Sequence, residues 1–245
     1  MPPPRPHPVS RPGPPKVALL IESSNSYGRE LLHSVRDWER AHGPWLIRLT
    51  EEGRGAGAPS WLRHWDGDGI IARVESMPFA HALRATGLPV IDVSAGLPRL
   101  VFPRVSTQAT GVARLAATHL LERGLRHFGY CGDRNLVWAR RRGRFFAEAI
   151  RHAGYRCAML APGAESVDDL VERIANWLKT LVKPVGILAC IDLRGQQVLS
   201  ACRLAGFSVP SDVAVIGVHN DELVCDLCDP PLSSVITNAR RTGFL

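Results

Sequence analysis

The stretch GFSVPSDVAVIGVHNDE, which runs from Gly206 to Glu222, decides the fold. Gly206 predicts the end of a helix, because glycine readily adopts the left-handed backbone conformation found there. A proline-containing turn then leads into the apolar segment Val213–Gly217, which predicts a buried strand. The residues after the strand, His219–Glu222, are polar. Ligands of open α/β sheets bind at the carboxyl ends of the strands, so this polar loop is a candidate binding element.

The first half of the chain alternates strands with helices in the same way. Val17–Ile21 is a continuous apolar run, which predicts a strand that is covered on both faces. Further strands are predicted at Trp45–Leu49, Gly69–Ala72 and Val90–Val93, with a glycine-rich loop at Gly53–Gly57. Between the first two strands, Leu31, Val35 and Trp38 are spaced to share one face of a helix. This β-α-β-α-β order predicts a parallel sheet with helices on both faces.

The pattern starts again after Phe102–Arg104. A helix is predicted to end at Arg123-Gly124, and a helical stripe is formed by Leu170, Ile174, Trp177 and Leu181. Further strands are predicted at His127–Cys131, Arg156–Leu160 and Val185–Cys190, before the strand at Val213–Gly217. Two separate series of this kind predict two lobes with a cleft between them, an architecture that closes on small ligands by hinge motion.

Composition excludes several classes of protein. No apolar run approaches the roughly 20 residues that a membrane helix needs, so no membrane partner is expected. The proline-rich segment Met1–Lys16 has no hydrophobic stretch, which predicts a disordered lead-in rather than a secretion signal. The net charge of +7 could suggest nucleic-acid binding, but of the 30 basic residues only Lys16, Lys179 and Lys183 are lysines. Such arginine dominance is typical of a GC-rich genome.

Neither a metal site nor an enzyme site is indicated. The 6 cysteines are scattered, which favours a reducing compartment. Cys225-x-x-Cys228 has no second ligand pair at comparable spacing, as a tetrahedral zinc site would need. The chain also lacks the G-x-G-x-x-G, G-x-x-x-x-G-K-[ST] and G-x-S-x-G motifs of nucleotide-binding proteins and hydrolases. No catalytic residue, metal or cofactor is therefore predicted.

The Gly206–Glu222 stretch and the Pro230–Val235 run resemble the effector-binding domain of the lactose/galactose repressor family. Glu22–Ser24, Tyr27–Arg29 and Gly69–Arg73 strengthen a similarity to the sugar-sensing domains of xylose operon regulators. The resemblance implies a two-lobed periplasmic-binding-protein-like α/β fold, in which each lobe is a doubly wound parallel sheet. It also implies a cytoplasmic, non-enzymatic sensor of a sugar or sugar-like effector in a bacterial transcription regulator, paired as a homodimer.

The same resemblance implies where the lobes begin and end. After the lead-in at 1–16, the N-terminal lobe is expected at 17–103 and the C-terminal lobe at 104–236. Residues 237–245 would start a crossover back to the N-terminal lobe, whose C-terminal part is truncated. Operator DNA would be bound only through a C-terminal helix-turn-helix module, which is not present in these residues.

Candidate ligand-binding residues follow the predicted strands or face the expected cleft. Asp92 is a charged acceptor suited to a sugar hydroxyl, and Arg140 and Arg142 offer rigid forks of donors. Of the hydroxyls near Tyr27, one is expected to cap the first helix and another to contact the ligand. Arg73 is placed at the cleft rim or on the ligand. The resemblance implies the ligand-binding set Ser23, Ser24, Tyr27, Arg73, Asp92, Arg140, Arg142, Asp192 and His219.

Three positions depart from the sugar-binding relatives. Ile191 stands where a polar residue, often Asn, is common, and His219 and Gln108 stand where Asp is common. Two carboxylates are thereby lost, which argues against D-xylose itself as the effector. A protonated His219 would favour an acidic effector, and a neutral one could still accept a hydrogen bond. A solute-binding protein without a DNA-binding role and a doubly wound α/β enzyme are the alternatives.

Overall fold

The computed structural model describes residues 13–50, 57–161, 163 and 166–244. Most of the lead-in at 1–16, and all but Gly57 of the glycine-rich loop, lie outside the described residues. Lys16 is the first residue of the first strand, and its N–H donates to Asp68 Oδ2 at 2.8 Å. In the described ranges, no helix is long and apolar enough to cross a membrane.

The described residues form nine strands, eight α-helices and a short 3₁₀ helix at Ser60–His64. In chain order the elements are β1 (Lys16–Leu20), α1 (Ser26–His42), β2 (Leu46–Leu49), β3 (Gly69–Ala72), α2 (Met77–Ala85), β4 (Val90–Asp92), α3 (Ala109–Glu122), β5 (His127–Cys131), α4 (Val137–His152), β6 (Cys157–Met159), α5 (Val167–Lys179), β7 (Val185–Ala189), α6 (Asp192–Ala205), β8 (Val213–Val218), α7 (Glu222–Asp226), β9 (Ser233–Val235) and α8 (Ala239–Phe244).

The chain divides into two compact units. Unit 1 comprises the residues up to Ser106 together with Ala239–Leu245, and unit 2 comprises Thr107–Asn238. Unit 1 contains a sheet in the order β2-β1-β3-β4, and unit 2 contains one in the order β6-β5-β7-β8-β9. Every pairing in both sheets is parallel. The α/β class with two doubly wound parallel sheets is therefore confirmed.

Both sheets have apolar cores on their two faces, as continuous apolar strands predict, but the four residues of the edge strand β2 are exposed. In unit 2, Ile187 of β7 packs into a core with residues of α5 and α6, whereas its neighbour Leu188 packs with residues of α3 and α4. In unit 1, Leu20 packs with residues of α2 and Leu19 with Val35 of α1. Because every strand of a sheet runs the same way, the strand ends collect polar residues along one edge of each unit.

The helix ends explain where the prediction held and where it was wrong. Gly206 ends α6 in the left-handed conformation, with φ of 74°. Leu181, in contrast, lies beyond the end of α5 at Lys179, so the predicted stripe extends further than the helix. Neither serine before α1 caps it. Asn25 does so, since its side chain accepts the Gly28 N–H at 2.9 Å.

Candidate functional site

Arg73 is held between two carboxylates at the carboxyl edge of unit 1. It follows β3 and forms ion pairs with Glu22, which follows β1, and with Glu75 Oε1 at 2.9 Å. Asn25 donates to Glu22 Oε1 at 3.0 Å, which connects the cap of α1 to this cluster. The guanidinium carbon lies 5.2 Å from the centre of the buried Tyr27 ring. The edge therefore presents a structured group of donors and acceptors in which Arg73 and Tyr27 lie together.

The Asp92 carboxylate is engaged by its own unit. Its Oδ1 accepts the N–H groups of Val74 at 3.2 Å and Ser94 at 2.8 Å, and the Ser94 hydroxyl at 2.8 Å. Its Oδ2 accepts Arg104 Nε at 2.7 Å, and the Asp92 residue is 1% exposed. A ligand hydroxyl would have to replace one of these bonds. Contact between Asp92 and a ligand thus stays a prediction, and Arg104 is a neighbour that the sequence did not single out.

The two serines after β1 differ in exposure. Ser24 is exposed, whereas Ser23 is half-buried and its carbonyl accepts Arg29 Nη1 at 3.1 Å. Because Asn25 provides the cap, the hydroxyls of both serines are left for other partners. Ligand contact by Ser23 and Ser24 stays a prediction.

The two arginines of α4 differ in their surroundings. Arg142 is 5% exposed and donates to the Cys190 carbonyl at the end of β7. Arg140 is exposed and donates to the Arg134 carbonyl at 2.6 Å. Positions two apart on a helix point in different directions, and ligand contact by either arginine stays a prediction. Arg142 lies at the carboxyl edge of the unit 2 sheet, and Arg140 does not share its contact there.

Asp192 joins the ends of three strands of unit 2. It follows β7 as the first residue of α6 and is 2% exposed. Its Oδ2 accepts the Asp221 N–H at 2.8 Å, and its Oδ1 accepts the hydroxyl of Ser234 in β9. Burial raises the pKa of Asp192 from the ordinary 3.8 to about 6, opposed by these two hydrogen bonds.

His219 begins the loop that follows β8. Its N–H donates to the Val235 carbonyl at 3.0 Å, and its Nδ1 shares a hydrogen bond of 2.9 Å with Thr237 Oγ1. Its φ is 100°, and that of Asn220 is 54°, a region in which side chains other than glycine are uncommon. Such conformations persist only where neighbouring contacts enforce them.

The other positions considered in the sequence are Ile191, Gln108 and the Cys225–Cys228 pair. Ile191 precedes α6 without a side-chain cap, and Gln108 is exposed before α3. Cys225 and Cys228 are buried free thiols, and burial raises the pKa of Cys225 to about 12. No group of three or more candidate metal ligands occurs within the described part of the chain.

Residues 117–245 match the periplasmic binding protein-like domain family, which is more than half of the chain. The chain belongs to this family. It is 28% identical to the xylose operon regulatory protein of Escherichia coli K12 over 240 residues, 94% of this chain and 61% of that protein. The corresponding protein of Haemophilus influenzae is 26% identical over 246 residues, 94% of this chain and 62% of its own length.

Solved structures agree with this family in fold. The structure of the xylose-binding transcription activator xylR superposes with a TM-score of 0.77 at 25% identity, covering 95% of this chain and 61% of that one. A LacI family regulator from Arthrobacter sp. FB24 in complex with lactose gives 0.73 at 23% identity, covering 94% and 86%. The two parallel sheets thus match the effector domains of these regulators, and the chain is homologous to xylose operon regulators. It spans about 61% of the curated relatives that it matches first.

Proposed function

We propose that this chain is the effector-sensing part of a bacterial transcription regulator and binds a sugar or a sugar-like metabolite. The observation that carries the proposal is the position of its polar side chains at the carboxyl ends of parallel strands in both units, Arg73 in unit 1 and Arg142 in unit 2 among them. Ligands of open α/β sheets bind at such edges. Homology to xylose operon regulators supports the choice of a sugar-like ligand.

The side chains at these strand ends suit a polar, hydroxylated ligand. Arginines supply fixed donors, and the hydroxyls of Ser23 and Ser24 can donate or accept, which suits the hydroxyl groups of a sugar. A ligand that binds one conformation of the chain better than another shifts the population towards it, by as much as the difference in affinity. In this proposal the regulator reads that shift through a homodimer and a separate DNA-binding module, works in the cytoplasm and catalyses no reaction.

Calorimetry of the purified chain with D-xylose, other pentoses, hexoses and sugar acids tests the proposal. We expect at least one sugar or sugar acid to bind, and Arg142→Gln to weaken that binding. The expected control is Arg151→Gln, because Arg151 is exposed in the last turn of the same helix. Absence of binding across the panel, or equal effects of both substitutions, would contradict the proposed site.

D-xylose itself is expected to bind weakly. Ile191 cannot hydrogen-bond a hydroxyl, and His219 lacks the carboxylate common in the relatives. Each unmade bond costs about 1–3 kcal/mol, so two together reduce affinity by roughly one to four powers of ten. The double substitution Ile191→Asn/His219→Asp should recover xylose affinity in the same assay. Nuclear magnetic resonance of each sugar after incubation checks that it is recovered unchanged, since conversion to a product would favour the enzyme alternative.

A further inference from the structure

The loop after β8 has an unusual backbone that nothing in its own sequence requires. His219 and Asn220 both have positive φ values, 100° and 54°, although neither is glycine. Hydrogen bonds from β9 and the residues after it hold them: Val235 accepts the His219 N–H, Ser234 Oγ accepts the Asn220 N–H at 2.9 Å, and Thr237 bonds the imidazole. The loop conformation is therefore imposed from outside.

The contact between Ser234 and Asn220 depends on a buried carboxylate. The Ser234 hydroxyl accepts from Asn220 and donates to Asp192 Oδ1, so Asp192 orients the group that holds the Asn220 backbone. Its other oxygen, Oδ2, accepts the N–H of Asp221, the next residue along the loop. The Asp192 side chain thus holds two backbone N–H groups, that of Asn220 through Ser234 and that of Asp221 directly.

The burial of Asp192 suits it to this role. It is 2% exposed, and both its oxygens are used within unit 2. The backbone around it is fitted to the carboxylate, because a Cβ added to Gly217 of β8 would stand 2.2 Å from Asp192 Oδ1. Ile191, immediately before it, carries no polar group.

We propose that Asp192 is a positioning residue whose ionised carboxylate holds the His219–Asn220 loop in the conformation that presents the His219 imidazole to the effector. This inference rests on the proposed function for the role of His219, and direct contact between Asp192 and the ligand stays a separate prediction. When the Asp192 carboxylate is protonated, either the Ser234 hydroxyl or the Asp221 N–H loses its acceptor. The strained loop then relaxes.

The charges around Asp192 fix the sign of its pH response. Arg142 on α4 favours the ionised form, whereas Asp221 before α7 disfavours it, and the thiols of Cys225 and Cys228 on the same side are neutral because burial raises their pKa. With the pKa of Asp192 at about 6, the ionised fraction falls about tenfold between one pH unit above that value and one below it. The loop should be held at neutral pH and released in mild acid.

Amide hydrogen exchange of the intact chain without ligand, corrected for the intrinsic pH dependence of exchange, tests the inference. In the wild type, exchange of the Asn220 and Asp221 amides should increase by up to about tenfold over that pH range. Asp192→Asn and Ser234→Ala should exchange fast at both pH values. Asp229→Asn, which removes an exposed carboxylate in the same unit, is the control and should follow the wild type.

A second measurement separates a positioning role from a general loss of stability. The imidazole resonances of His219, assigned with His219→Gln, should shift with the ionisation of Asp192 in the wild type and lose that step in Asp192→Asn, while amides of β5 and β7 stay protected in both. Identical pH profiles in wild type and Asp192→Asn would overturn the inference. If the loop responds as expected but no sugar binds, the proposed function fails and the positioning role survives.

Discussion

At the strand ends of unit 1, buried charges form ion pairs within the unit. Arg104 and Asp92 are the most enclosed ion pair among the described residues, with side chains 8% and 2% exposed. Taking two charges out of water is costly, and their attraction repays the cost only in good geometry. Such a pair contributes little net stability compared with an apolar pair, but losing one member leaves the other charge buried alone.

Arg104→Met should therefore destabilise unit 1 by about 3–5 kcal/mol, because it leaves the Asp92 carboxylate without its counter-charge. Chemical denaturation followed by probes of unit 1 measures this free energy of unfolding. Arg203→Met is the matched control: it removes an arginine from the exposed pair with Asp229, whose side chains are 71% and 89% exposed, and should change nothing measurable. Equal effects of the two substitutions would show that burial of the Asp92 pair is energetically unimportant.

The sequence identified which residue types lie at the strand ends, but not the groups to which they hydrogen-bond. Asp92 at a strand end could be expected from the pattern, yet its bonds to Val74, Ser94 and Arg104 arise only when distant segments meet. The cap of α1 shows the same limit. Three consecutive residues, Ser23, Ser24 and Asn25, are all good caps, and the one that serves is decided by where β1 releases the chain.

Among the elements, those with a strong apolar pattern were predicted to within a residue or two. β3 and β5 have the predicted bounds, because a buried parallel strand shows a continuous apolar run that ends where the chain leaves the sheet. Helix starts were harder to locate. α4 begins at Val137, after Leu136, a residue that caps nothing, so no local signal marked its first turn.

The first turn of α1 leaves no room for a side chain at Gly28. Gly28 lies in its first turn, and an added Cβ would stand 2.0 Å from the Glu22 carbonyl oxygen, so Gly28→Ala forces backbone to move. We expect a loss of about 1–3 kcal/mol or more in stability. Gly111→Ala in α3 is the control, since its nearest atom would be at 3.9 Å. It should stabilise by roughly 0.5–1 kcal/mol, because alanine is the better helix former. Thermal unfolding of both variants checks the opposite signs.

Across the whole molecule, the chain order and the spatial units differ. α8 follows unit 2 in sequence but packs on α1 of unit 1, where Ser34 donates to the Arg240 carbonyl and Ala239 is buried. The crossover at 237–245 was expected from family resemblance, whereas composition and periodicity gave no sign of it. A short polar segment such as ARRTGF has too weak a pattern to show which surface it will pack against.

The contact of α8 with α1 includes an ion pair between Arg240 and Asp37. Arg240 donates two hydrogen bonds to Asp37 Oδ2, at 3.1 and 2.7 Å, and with Arg36 it lowers the pKa of Asp37 from 3.8 to about 2. A lowered pKa means that the folded state favours the ionised form, so this contribution to stability is present above about pH 4 and is lost as the pH falls towards 2.

Arg240→Gln should therefore raise the pKa of Asp37 part of the way back to its ordinary value, because the effect of Arg36 remains. Carboxyl titration by nuclear magnetic resonance measures it, and amide exchange of α8 should quicken by less than about fivefold, as expected for an exposed pair. Arg203→Gln, in unit 2, should leave both unchanged. If the pKa of Asp37 stays at about 2 without the Arg240 charge, Arg36 alone would account for it, and the pairing would not be what holds α8 against α1.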